Sequence, residues 1–185
     1  RAAELTAAQS AITLVQNTGN ILPLSLTPSQ KVLLVVVASS DTTTDAASRF
    51  SQIMGLKHPN VQTIAINHDP TSSSRTTVRT AAANAAVTIV ATSRADYVSA
   101  SQTNVGQVTL VNQLLSDGRT VIVVGTREPY ELASFPGVNA YIAAYNYRNC
   151  GFQAAADTIF GDWQPTGLLP VTIPGHYNFG WGLNF

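Results

Sequence analysis

The chain has 185 residues, enough for one full hydrophobic core and short of what two ordinary domains need, so a single domain over 1–185 is expected. Formal net charge is zero with no Lys/Arg block, and charged residues make up only 11% against roughly 25% in an average globular domain, so nothing draws the chain to nucleic acid or an anionic membrane. The longest apolar run is about eight residues, far below the ~20 that span a bilayer, which excludes a transmembrane helix from the expected elements.

In chain order, Leu5, Ala8, Ile12 and Val15 recur with the one-face spacing of an amphipathic helix, predicting a helix over Glu4–Gln16 closed by Gly19 in the left-handed conformation. The run Lys31–Ala38, KVLLVVVA, is apolar on both alternating faces and predicts a strand in the interior of a sheet. Thr42 followed by Asp45 forms a capping-box pattern for a helix to about Met54, with Ala46, Phe50 and Ile53 toward the sheet. Val61–Ile66, Ala86–Ala91 and Thr120–Gly125 are similar strand-like runs, and Asn139–Tyr145 is a further one.

Helical spacing fills the intervals. Val78, Ala82 and Ala85 mark one short helix, and Val108, Val111 and Leu115 mark another over Thr103–Ser116, stopped by Gly118. Pro129 suits the first turn of a short helix through Ala133. Asn149 is placed to cap a helix with Phe152, Ala155, Ala156, Ile159 and Phe160 on its apolar side, ended by Gly161, and Leu168–Ile173 reads as a last extended piece. Strands alternating with helices predict an α/β fold: a three-layer αβα sandwich around a mostly parallel, flavodoxin-like sheet of about five or six strands, monomeric because its own helices cover both faces.

The chemistry is bounded by what these loops lack. No dinucleotide Gly-x-Gly-x-x-Gly, phosphate loop or nucleophile elbow follows any strand, so no cofactor is expected. His58, His68 and His176 lie in loops without partners at ligand spacing, so they are expected to be solvated and no metal site is expected. Cys150 is the only cysteine and forms no internal disulfide. The Ser39–Thr44 loop resembles a phosphate cradle at a helix N-terminus and keeps open the alternative of a free-standing flavodoxin-like small-molecule or phosphate-binding module. It lacks glycine, and Asp41 and Asp45 oppose an anion, so flavin binding is not expected.

Trp163, Tyr177, Phe179 and Trp181 offer faces for sugar stacking, but their place in an irregular tail favours packing of that tail onto the body. Scarce lysine beside abundant Ser and Thr suggests an extracellular protein without excluding the cytoplasm. A start at Arg1, with neither initiator Met nor a signal-like apolar segment, suggests an excised piece.

The run Tyr147–Pro174, YRNCGFQAAADTIFGDWQPTGLLPVTIP, with FGWGLNF at the end, closely resembles the C-terminal α/β-sandwich domain of family 3 glycoside hydrolases. AAQSAITLVQNTGNILPL resembles that family's leading helix and following loop, and VIVVGTREPYEL its fourth strand and loop, so the resemblance covers essentially the whole chain. GTREPYEL and AAYNYR look most like the β-N-acetylglucosaminidase branch.

The resemblance implies a (β/α)-barrel preceding this domain, supplying the Asp nucleophile of a retaining reaction; that catalytic barrel is absent from these residues. In the β-glucosidase branch the acid/base is a Glu in the loop after the third strand, and here that loop, SRADYVSASQ, contains none. The hexosaminidase branch resembles enzymes that place a His and Asp acid/base pair on a barrel loop. A retaining glycosidase needs two groups about 5 to 5.5 Å apart across one bond, so this chain alone is expected to hold no catalytic residue and to meet carbohydrate only through the barrel. Loops at the carboxyl ends of the strands are the ligand-facing edge of open α/β sheets, which makes Arg94, Asp96, Arg127 and Glu128 the candidates for facing substrate or barrel. The competing expectations are an Arg127–Glu128 ion pair and a simply solvated Asp96.

Overall fold

Three runs rich in Val, Ile and Leu are too apolar to leave a face in water, and the sheet they build has helices on both sides. A computed structural model describes residues 2–38, 43–100 and 103–185. In chain order it holds helix α1 (Ala2–Ala11), strand β1 (Thr13–Asn17), β2 (Val32–Val37), α2 (Thr43–Lys57), β3 (Val61–Ile66), α3 (Ser72–Ala82), β4 (Val87–Thr92), α4 (Val105–Ser116), β5 (Val121–Gly125), β6 (Ala140–Ala143) and α5 (Asn149–Phe160). A short 3-10 helix, Pro129–Ser134, lies between β5 and β6.

The sheet order is β1-β6-β5-β4-β2-β3, with every neighbouring pair parallel except β1 and β6. Its five parallel strands run in the flavodoxin order, and the direction of chain progression reverses between β2 and β4. Alternation along β2 sends Leu34 into one core layer with Phe50 and Phe152, and Leu33 and Val35 into the other with Leu110, Val123 and Tyr141. The Phe50 and Phe152 rings stack at 4.6 Å between centroids, joining α2 to α5 on the first face. This is the αβα sandwich that the alternating runs predict.

Several local expectations are corrected. The predicted helix over Glu4–Gln16 breaks at Ala11, and the following residues form β1 along β6. Ile12 and Val15 do share helical spacing, but Ile12, Thr13, Leu14 and Val15 are buried in succession, which one helix face cannot achieve and a strand between two layers can. Helix α1 buries no residue of its own. Gly19 keeps the positive φ, 71°, but in the turn after β1. Val61–Ile66 is the edge strand and is only partly covered, unlike its apolar neighbours. In α4 the buried side is Gln107, Leu110, Val111 and Leu114, one step round from Val108 and Leu115.

Asn149 is the first residue of α5, whose N-cap is Arg148, and its Oδ1 accepts from Arg49 instead of capping. Gly161 ends that helix in the left-handed conformation as expected. His58 is buried, 2.6 Å through Nε2 from the Gln30 carbonyl, and stacked on Phe160, so it is not a solvated loop residue. The Thr42–Asp45 capping box and the Ser39–Thr44 cradle involve residues 39–42, outside the described residues.

Leu168–Ile173 forms no strand; the tail folds back on itself, with Leu169 N–H donating to the Trp181 carbonyl, the Leu169 carbonyl accepting from Gly180 N–H, and Leu183 N–H donating to the Leu14 carbonyl. Trp163 donates to the Gln9 carbonyl, Trp181 to the Val15 carbonyl, and Tyr177 to Gln16 Oε1, each pinning the tail across β1 or α1. Phe179 is 72% exposed and pins nothing. Among the described residues no helix is long and apolar enough to cross a membrane.

Candidate functional site

Parallel strands deliver all their carboxyl ends to one edge, so the β4–α4 and β5–β6 connections lie side by side there. They shape two concavities. The larger, about 340 Å³, is an open cleft lined by Arg94, Asp96, Tyr97, Val98, Glu128 and Tyr130. The smaller, about 80 Å³, sits where chain progression reverses between β2 and β4, with Val37, His68, Ser93, Thr126, Arg127 and Tyr147 among its walls. Three of the four candidates thus share one cleft, and Arg127 faces the neighbouring crevice.

The expected Arg127–Glu128 ion pair is not formed. Arg94 pairs with Glu128 instead, Nε lying 3.0 Å from Oε1 and 3.3 Å from Oε2, while Arg127 lies over the Tyr147 ring at 4.6 Å. Glu128 has extended backbone, φ −78° and ψ 142°, and successive side chains on extended backbone point to opposite sides, which separates it from Arg127. Both members of the Arg94–Glu128 pair are nearly half exposed, so the pair orients the side chains more than it stabilises the fold. The Arg94 guanidinium also lies 5.1 Å from the Tyr97 ring centre. Asp96 is exposed in the same cleft.

Beneath this surface lies a cluster that the sequence reading passed over. Glu131, in the second position after Pro129 on the 3-10 helix, is 1% exposed. Its Oε2 accepts the Ala95 N–H at 2.8 Å, and its Oε1 accepts from the hydroxyls of Thr92 and Tyr141. Burial pushes its carboxyl up to about 7, against the opposing effect of these donors, and the nearby Asp96 charge raises it further. Burial and the adjoining Glu131 push the Tyr141 hydroxyl up as well. The legible signals were Thr92, a hydroxyl at the last position of β4, and Tyr141, the one polar side chain of β6.

Other loop ends are tied by polar groups from a distance. Asp69 Oδ1 accepts the Gly106 N–H at 2.9 Å in the first turn of α4, and Gln107 Nε2 donates to the His68 carbonyl. His68 is half-buried at the crevice and His176 is exposed. Among the described residues no group of three His, Cys, Asp or Glu side chains is placed to hold a metal ion.

The profile of the glycosyl hydrolase family 3 C-terminal domain matches residues 12–180. The chain belongs to that family. No curated protein sequence matches it significantly. Among solved structures, this family 3 domain is similar to part of a fungal multi-domain family 3 β-N-acetylglucosaminidase, with 21% identity and TM-score 0.74 over 95% of this chain and 19% of that one. A family 3 β-N-acetylglucosaminidase from Paenibacillus sp. str. FPU-7 aligns at 18% identity and TM-score 0.71 over 86% of this chain and 30% of that one. A Listeria innocua β-glucosidase carrying the D270A substitution, in complex with laminaribiose, aligns at 15% identity and TM-score 0.80 over 100% of this chain and 33% of that one. At these identities the structures share the fold, and the domain spans a third or less of their length.

Within the family 3 domain the β4–α4 and β5–β6 connections therefore present one paired acid, Glu128, one exposed acid, Asp96, and one enclosed acid, Glu131. Arg94 and Arg127 supply the positive charge, each lying over a tyrosine ring.

Proposed function

We propose that this chain serves as the non-catalytic C-terminal partner of a glycoside-hydrolase barrel of the β-N-acetylglucosaminidase type, with the loops bearing Arg94, Asp96, Arg127 and Glu128 turned toward the barrel. One observation carries the reading: both glutamates at the carboxyl edge are already committed, Glu131 to three internal donors and Glu128 to Arg94. Glycosidic cleavage by retention needs an acid and a nucleophile free on either side of one bond. The 93–102 loop also carries no Glu to take the acid/base part. Exposed Tyr97, Val98 and Tyr130 around the cleft suit a modest, fairly polar inter-domain surface.

The purified chain is expected to release no product from aryl N-acetyl-β-glucosaminides or aryl β-glucosides. Turnover above a buffer blank that disappears on replacing Glu128 or Asp96 overturns the proposal. A flavin-binding module is disfavoured by charge, since Asp41 within the Ser39–Thr44 segment and Asp45 just after it oppose a phosphate.

Arg127→Ala tests the docking edge. Arg127 is exposed and its contact with Tyr147 contributes about 0.5–1 kcal/mol, so the chain's melting temperature is expected to fall by no more than about 4 °C. In an enzyme joined to its barrel, the same substitution is expected to raise KM or weaken domain association. A large melting shift in the chain with unchanged kinetics assigns Arg127 an internal role and removes it from the docking surface.

A further inference from the structure

The cleft is displayed on a backbone that does not hold itself. Arg94 has φ +50°, a left-handed conformation that side-chain-bearing residues adopt only when their surroundings enforce it. The peptides on both sides of Arg94 are held: the Ser93 carbonyl accepts from Gln107 Nε2 at 3.2 Å and from Asn104 Nδ2 at 3.4 Å, and the Arg94–Ala95 unit is held at both its carbonyl and its amide. On the carbonyl side, Arg94 O accepts from Asn104 Nδ2 at 2.9 Å and from the Tyr97 N–H at 3.0 Å. On the amide side, Ala95 N–H donates to Glu131 Oε2 at 2.8 Å. The Arg94–Ala95 peptide is therefore clamped at both ends, by Asn104 just before α4 and by an acid from the next connection.

We propose that Glu131 is a positioning residue: by holding the Ala95 amide it fixes the left-handed turn at Arg94, and with it the Arg94–Glu128 pair and the shape of the carboxyl-edge cleft. This concerns the chain's own loop and stands whatever docks there; only its consequence for catalysis rests on the barrel reading above.

The donor pattern dictates how the clamp responds to a proton. An amide N–H can only donate, so Oε2 must remain an acceptor in both protonation states. Hydroxyls can donate or accept, so a proton on the carboxyl goes to Oε1, where Thr92 and Tyr141 can turn to receive it. The titratable groups acting on Glu131 are Tyr141 from β6 and Asp96 from the loop itself. The carboxyl titrates near neutrality because it is enclosed, and the Ala95 bond weakens on protonation without being lost.

Amide proton NMR on the whole chain tests this. In the wild-type chain, the Ala95 amide shift is expected to titrate with the same midpoint as the Glu131 carboxyl carbon, close to neutral pH. Glu131→Gln keeps an acceptor for Ala95 and gives two donors to the hydroxyls; it is expected to preserve Ala95 protection and to abolish the titration. Glu131→Met fills the space without an acceptor and is expected to speed Ala95 exchange by about tenfold or more while β5 amides stay protected. The proposal is overturned if the wild-type Ala95 amide does not follow the carboxyl, a measurement that requires no variant to fold. It is equally overturned if Glu131→Gln loses protection as Glu131→Met does.

Discussion

Gly125→Ala is expected to destabilise the domain by about 3 kcal/mol and to lower its melting temperature by roughly 6–12 °C. Gly125 closes β5, paired with Thr92 on one side and Ala143 on the other. A Cβ there overlaps the Tyr141 hydroxyl, lies 2.7 Å from Tyr141 Cζ and comes within 3.1 Å of Glu131 Oε1. Tyr141 is fully buried, with its ring 6.4 Å from that of Phe135, so it has no room to retreat. The added methyl therefore strains the sheet end or breaks the Tyr141–Glu131 hydrogen bond. Thermal unfolding followed by far-ultraviolet circular dichroism measures the loss. Tyr141→Phe in the same chain removes the overlapping oxygen and is expected to restore part of it. A Gly125→Ala protein melting within a degree or two of wild type shows that the strand end is looser than its packing implies.

The layered fold was legible because it rests on local pattern: KVLLVVVA, AVTIVA and TVIVVG have no polar face to give to water, so helices on both sides follow. β1 was not legible because ITLV also satisfies helical spacing, and only its pairing with β6 and the tail across it decide for a strand. The same limit governs the site. The strand-end rule singled out Arg94, Asp96, Arg127 and Glu128 by their connections, yet the partner of Glu128 is 34 residues away and no pattern names it. Glu131 was harder still. An acid just after a helix-opening Pro reads as an exposed first-turn charge, and it is buried only because Thr92 and Ala95, at and just past the end of β4, and Tyr141 in β6, two distant stretches, bring it donors.

The enclosed acid also sets how the whole domain responds to pH. Burial raises the Glu131 carboxyl from its ordinary 4.5 to about 7. Its folded-state proton affinity exceeds that of the unfolded chain, so its contribution to stability is fully present below about 4.5 and is lost as pH rises through about 7. Between those limits the unfolded chain has released the proton and the folded chain still holds it, and stability falls by about 3 kcal/mol. Two other displaced groups act elsewhere: Asp117, held below its ordinary 3.8 by Arg79, matters under acid conditions, and Lys57, raised beside Asp157 and Asp162 despite partial burial, matters in alkali. The informative quantity is the difference between wild type and Glu131→Gln, in which every group common to both proteins cancels. The amide reproduces the neutral acid, accepting from Ala95 and donating to the Thr92 and Tyr141 hydroxyls, and never ionises. Urea unfolding is therefore expected to find the two proteins close in stability at pH 5 and the glutamine variant more stable by about 2–3 kcal/mol at pH 8, an increase gained by removing a buried charge. If the two stability curves run parallel from pH 5 to pH 8, Glu131 does not change its ionisation between the folded and unfolded chain in that range, and its carboxylate is carried in the core by its three donors alone.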